Sequence, residues 1–337
     1  MPIEIYLGVG SDFSEDKLRF CAQIGADGVN GSPTPTDRDN GFYSLETLEK
    51  AKSTVESNGL NFYSVRLLPW SWTFKWTLGL PGKDEQLENF NKTIANMGEA
   101  GIPIHTYNVH AMRYYRTAND AEARGGSKST SFKLPLIENA PLMTHGGGVD
   151  ISLIPEEHRR PYSDDEMWAN LEYFLKAVLP TAEKAGVKLA LHPDDPPIPQ
   201  IGKVARIMRS AEAFKKLLDI DPSPSNGIHF CQGCFTEMGV DLVKEITYFG
   251  SRNKIVAIDF RNIIGHVNDF REAWPDEGQA DMAATMKAYK DVGFNGPACP
   301  DHIIHMDGDT PWGHRYWAYA VGHMRGLEAG IDLMAKK

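Results

Sequence analysis

Four residues of kinds that hold metal ions close four successive apolar runs in the second half of the chain. His192 follows Val187-Lys188-Leu189-Ala190-Leu191, and Cys231 follows Gly227-Ile228-His229-Phe230. Asp259 follows Lys254-Ile255-Val256-Ala257-Ile258, and Asp301 follows Gly296-Pro297-Ala298-Cys299-Pro300. The interval between each pair is that of one strand-plus-helix unit. Parallel strands side by side in a barrel bring their C-terminal ends to one mouth. An imidazole, a thiolate and two carboxylates meeting there make a site for a divalent metal.

The flanking residues add further chemistry. In His192-Pro193-Asp194-Asp195-Pro196-Pro197 the prolines stiffen the turn. Asp194 and Asp195 there could ligate, orient a ligand or bind hydroxyls, or form a solvated acidic turn. In Phe230-Cys231-Gln232-Gly233-Cys234 the Cys-x-x-Cys spacing fits a redox pair or half a zinc site. No second such pair exists, which excludes a tetrathiolate zinc. The reading favoured is one thiolate ligand, Cys231, with Cys234 packed in the following turn. Asp259-Phe260-Arg261-Asn262 sets a guanidinium and an amide beside a carboxylate; Arg261 could clamp a substrate carboxylate or simply pair with Asp259. His302, next to Asp301, is placed for acid–base work near neutral pH. His314 and Tyr316, at a helix start near the same mouth, are weaker candidates, and His323 in an apolar helix reads as structural. Asp281 reads as a helix cap, and Glu277 could reach the site or a partner subunit. Trp70, Trp72, Phe74 and Trp76 form either an apolar wall or an ordinary core cluster.

These residues need a scaffold, and the rest of the chain has the pattern of one. Short apolar runs alternate with segments of helical period. Strands are expected at 3–9, 28–30, 61–67 and 104–109, with helices opened by Ser14, Ser44 and Asp84. From His110 to Tyr162 no convincing strand is found, and Arg124-Gly125-Gly126-Ser127 and Gly146-Gly147-Gly148 are loop chemistry. Ser163-Asp164-Asp165-Glu166 resembles a capping box that opens a helix to about Ala185. Helices near 210–219, 239–250, 278–292 and 313–333 then alternate with the four ligand-bearing strands. The expectation is an α/β fold, a (β/α)8 TIM barrel forming one domain over residues 1–337. A long insertion of about 111–162 follows strand four and either covers the mouth or makes a surface excursion.

Composition narrows the partners. The 337 residues carry a net charge of −10, are 42% hydrophobic and 24% charged, and contain four cysteines. No basic block invites nucleic acid or an anionic membrane, and no apolar run approaches a spanning helix. Four cysteines are too few for a disulfide framework, and the first residues have no leader pattern. A cytoplasmic, reduced protein is expected.

At the motifs His192–Pro197, Phe230–Cys234, Asp259–Asn262, Asp276–Met282 and Pro300–His302 the chain resembles the mannonate dehydratase family of xylose-isomerase-like TIM barrels. Leu80–Phe90 and Tyr107-Asn108 also look familial. The resemblance implies a divalent metal, Mn²⁺ first, with Fe²⁺, Co²⁺ or Mg²⁺ as alternatives, and a homodimer. His192, Cys231 and Asp301 match the family's ligands. Asp259 stands where the family pattern has His, and Cys299 where it has Arg. The implied reaction removes water from a small anionic sugar acid to give a 2-keto-3-deoxy acid. His302 and Tyr316 would then be the catalytic acid–base pair, and Arg261 and Arg206 would hold the carboxylate, with Asn262, Asp194 and Asp195 around the substrate. A sugar isomerase or epimerase on the same barrel, or a non-catalytic sugar-binding relative, are the alternatives.

Overall fold

A computed structural model describes residues 2–36, 40–109, 115–137 and 150–335. At its centre eight parallel strands close a barrel, each beside its neighbours in chain order. They are Glu4–Gly8, Gly28–Gly31, Asn61–Arg66, Ile104–Tyr107, Lys188–Leu191, Asn226–Cys231, Ile255–Asp259 and Pro297–Cys299. All eight are where the apolar runs placed them. Register fixes the mouth: Cys231 pairs with Asp259, and Asp259 with Cys299 on its other side. The sequence thus sets a thiol, a carboxylate and a second thiol side by side on adjoining strand ends.

Local chemistry starts and stops the surrounding helices. The Ser44 side chain accepts a hydrogen bond from the Thr47 backbone N–H, 3.2 Å away, at the start of Leu45–Glu56. Ser163 and Glu166 form the full capping box of helix Asp164–Ala185. There the Glu166 N–H donates to Ser163 Oγ at 3.3 Å, and the Ser163 N–H donates to Glu166 Oε2 at 2.9 Å. Gly186 ends that helix at φ 69°, a left-handed turn that glycine adopts without steric penalty. One face of the helix buries Leu171, Phe174, Leu175 and Val178. Phe174 stacks on Trp76 with ring centroids 4.2 Å apart. Trp70, Trp72, Phe74 and Trp76 all belong to the main hydrophobic core.

The segment after the fourth barrel strand departs from expectation. It contains two strands, Ala118–Glu122 and Lys128–Lys133. They join Asp269–Ala273 and Asn262–His266 in a four-stranded antiparallel sheet. The pattern was hard to read because two of the buried positions in Lys128–Lys133 are serines, Ser129 and Ser131, rather than apolar residues. Lys128 also bridges to His305, beyond the eighth barrel strand, so the sheet lies at the ligand-bearing end of the barrel. The turn expected after Cys231 is a short helix, Gln232–Glu237. Gly146-Gly147-Gly148 lies outside the described residues.

Removing the cap of the long helix tests this account of its start. Ser163→Ala is expected to lower stability by about 1 kcal/mol in urea denaturation, and an unchanged midpoint would show that the box contributes nothing.

Candidate functional site

The four strand-end residues converge. Cys231, Asp259 and Asp301 each bring one ligand atom to within 4.8 Å of the others, and His192, Cys231 and Cys234 do the same. His192 Nε2 lies 3.2 Å from Asp259 Oδ2. On the other side of the ring, His192 Nδ1 donates to the Pro193 carbonyl at 2.7 Å, which holds Nε2 toward the cluster. Asp259 is fully buried at the barrel wall. His229 approaches its Oδ1 at 3.0 Å without hydrogen-bond alignment. Asp301 and His302 both have left-handed backbones, φ 42° and 43°, a conformation unfavourable for residues with a Cβ and concentrated at functional sites.

The electrostatics follow from this crowding. Burial opposes ionisation of Cys231, but the Cys234 thiol, the Arg261 guanidinium and His192 outweigh it and hold Cys231 well below the usual thiol range. Cys234 is pushed the opposite way, by burial and by the Cys231 charge. His192 would be lowered by burial alone, yet hydrogen bonds to Asp259 and Cys231 raise it to about 10. Asp301 is raised, by burial and then by the charge of Asp259. A thiolate and two carboxylates therefore share one buried corner.

Arg66, at the end of the third barrel strand, enters the same corner and was not singled out from the sequence. Its Nη2 donates to Asp259 Oδ2 at 3.1 Å, and its Nη1 lies 3.9 Å from Asp301 Oδ1. Gly8, Arg66, Cys299, Asp301, His302 and His305 line a cavity of about 320 Å³ at this mouth. That size suits a small polar ligand.

Behind the cavity lies a second, denser charge cluster. Arg261 Nε donates to Glu272 Oε2 at 2.7 Å, Nη1 to Asp195 Oδ2 at 2.9 Å, and Nη2 to Glu237 Oε1 at 2.6 Å. Arg116 Nη2 donates to Asp195 Oδ2 at 2.9 Å and to Glu272 Oε1 at 2.7 Å. Burial raises Glu237, and the Asp195 charge adds to this, favouring its protonated form. Two carboxylates then balance two guanidiniums. Gly233 makes the knot possible, because a Cβ there would sit 2.7 Å from Arg261 Nε. His302 joins this cluster to the first, with Nδ1 3.4 Å from Glu272 Oε1 and Nε2 3.2 Å from Asp301 Oδ2. Arg116 and Glu272 escaped notice because they lie on, or beside, segments without a readable strand period, and Glu237 because it ends a short helix where a turn was expected.

The other expected residues are placed as follows. Arg206 is buried and donates to the Asp195 and Pro196 carbonyls at 2.8 and 3.1 Å. Asp194 Oδ2 accepts from the Met208 N–H at 2.7 Å. Asn262 donates to the Pro275 and Ala280 carbonyls. Gly278 leaves Asn262 its room, since a Cβ there would lie 2.1 Å from its amide. The expected carboxylate clamp, Arg261, has its guanidinium already engaged by protein carboxylates. Tyr316 is buried, and its hydroxyl donates to the Asp301 carbonyl at 3.4 Å. Burial and then the Asp301 charge raise its phenol well above the usual range, so it stays protonated. His323 is half-buried in the last helix and Asp281 caps Met282–Asp291, as read. Glu277 pairs with Arg271 at 3.1 Å.

Removing Arg261 separates its two possible roles. Arg261→Met would leave buried carboxylates short of a cation, so a loss of about 3–5 kcal/mol is expected in urea denaturation. Near-normal stability with weakened binding of a sugar acid would instead make Arg261 a substrate clamp.

Comparisons with known proteins agree with this architecture. The family model for D-mannonate dehydratase (UxuA) matches residues 9–337. A mannonate dehydratase of Streptococcus equi subsp. zooepidemicus is 34% identical over 295 residues, covering 82% of this chain and 80% of its own. One from Oceanobacillus iheyensis is 30% identical over 312 residues, covering 86% of each. The crystal structure of mannonate dehydratase from Streptococcus suis serotype 2 superposes with a TM-score of 0.86 at 30% identity, covering 99% of this chain and 95% of that one. An L-ribulose 3-epimerase, at 14% identity and a TM-score of 0.58, shares the fold. The chain belongs to the D-mannonate dehydratase family.

Proposed function

We propose that this protein is a metal-dependent sugar-acid dehydratase that converts an aldonate such as D-mannonate to a 2-keto-3-deoxy acid. The observation that carries the reading is the convergence of His192, Cys231, Asp259 and Asp301 beside His302, in a chain of this family. The donor set fits a divalent cation. Cys231, Asp259 and Asp301 bring three negative charges, Arg66 offsets one, and a divalent ion would balance the rest. Burial first, and then the Asp259 charge, raise the Asp301 carboxyl, and an added cation would offset the second of these. His192 fits as well, because its Nδ1–H is tied to a backbone carbonyl and Nε2 faces the cluster. Mn²⁺ is the proposed ion, on the family likeness, as is a cytoplasmic homodimer. Among the described residues no helix is long and apolar enough to cross a membrane.

When bound, such an ion supplies positive charge against the negative charge that develops on the substrate as its C2 proton leaves. The protein's own residues do the rest. His302 lines the cavity between Asp301 and Glu272, and we assign it the removal of the C2 proton. Tyr316, whose hydroxyl lies 3.4 Å from the Asp301 carbonyl and keeps its proton, is assigned the protonation of the departing C3 hydroxyl. Water leaves, and the enol tautomerises to the 2-keto acid. Arg206, Asp194 and Asn262 fix the loops around the cavity through backbone contacts, while Asp195 ties Arg116 and Arg261 to the mouth.

Two measurements test this. Mn²⁺-loaded protein with D-mannonate is expected to form a 2-keto-3-deoxy product, and His302→Gln to lower kcat by about 10²–10⁴-fold. No such product from any aldonate in a stereochemical panel would end the dehydratase reading. The second concerns pH. A metal requires neutral His192, but in the metal-free protein this residue stays protonated up to about pH 10. Cys231 is already thiolate and releases little. Mn²⁺ binding near neutral pH is thus expected to expel about one proton and to tighten about tenfold per pH unit. Calorimetry in buffers of different ionisation heat reads both. Affinity independent of pH would show that His192 is not a ligand.

A further inference from the structure

Four described arginines surround the mouth, and their surroundings differ. The Arg116, Arg206 and Arg261 side chains are only 1–2% exposed and tied to buried carboxylates or carbonyls. Arg66 is 24% exposed and lines the cavity with His302 and Asp301. Only its Nη2 has a hydrogen bond to a described residue, the one to Asp259. Its Nη1 is 3.9 Å from Asp301, too far for a hydrogen bond. The guanidinium is therefore anchored at one corner, and its remaining N–H groups have no hydrogen bond to a described residue. Asp259 is an effective anchor, because it is fully buried and itself fixed on the barrel wall by strand register.

From this geometry we infer that Arg66 binds the carboxylate of the sugar acid and makes the site prefer aldonates to neutral polyols. The inference rests on the sugar-acid reading above. A planar guanidinium presents paired N–H groups whose spacing matches a carboxylate, and it stays charged at any working pH. Its position beside Asp301 and His302 would bring the acid end of the substrate to the cluster, and the adjoining carbon to the acid–base residues. Cys299 lines the same wall and, as a thiol, supplies no cation there. Binding of a carboxylate here thus has one described cation to rely on besides a metal.

The test uses full-length protein reconstituted with Mn²⁺. D-mannonate and D-mannitol are titrated calorimetrically into wild type, Arg66→Met and Arg66→Lys, and bound metal is measured in each. Wild type is expected to prefer mannonate. Compared at equal metal occupancy, Arg66→Met should bind mannonate about 10–100-fold more weakly than wild type, with mannitol affinity unchanged, and Arg66→Lys should fall between. Where Arg66→Met does not fold, Arg66→Lys decides, through a mannonate preference reduced about threefold or more. An unchanged preference, or an equal loss of both ligands, would overturn the role of Arg66. Mannonate that binds wild type through Arg66 but is not dehydrated would sink the dehydratase reading alone. Product formation with Arg66→Met unaffected would sink the Arg66 role alone. A wild type that does not bind mannonate would remove both.

Discussion

Like charges crowded into a buried corner have to be balanced, and much of this molecule serves that requirement. The barrel register brings Cys231 beside Asp259, and the turn after the eighth strand adds Asp301. Taking such groups out of water is costly unless opposite charge is at hand. Arg66 and protonated His192 supply part of it. Once His192 gives up its proton, two negative charges are left unbalanced beside the cavity, which on the proposed reading a divalent cation would offset.

The second charge cluster explains how the mouth is kept rigid. Arg261 and Arg116 tie the loop after the fifth barrel strand, through Asp195, to the added sheet, through Glu272. The sheet draws strands from after the fourth and the seventh barrel strands. His302 lies against both clusters, near Asp301 and Glu272, and Glu272 is also a partner of Arg116 and Arg261. Arg261, which beside Asp259 in the sequence looks like a substrate clamp, has its guanidinium engaged by Glu272, Asp195 and Glu237.

Legibility in the sequence followed the kind of signal each element carries. The barrel strands could be read because they are apolar runs ended by polar or reactive residues, and the helices because Ser44 and Ser163 announce their starts. The metal candidates were readable for the same reason: each sits at a strand end. The added sheet was not, because Ser129 and Ser131 fill buried positions that apolar residues normally mark. Glu272 and Arg116 went unseen with it, since their meaning depends on partners far away along the chain. Arg66 differs. It closes the third barrel strand just as Asp259 closes the seventh, and examining every strand end, rather than those with ligand-type residues, would have found it.

The most direct test of the central claim, that the strand ends form one metal site, is elemental analysis. Wild-type protein, Cys231→Ala and His192→Ala would each be reconstituted with Mn²⁺, freed of excess ion and measured. The account predicts about one ion per chain in wild type and a large loss in both variants. Undiminished metal in the variants, or none in reconstituted wild type, would contradict it.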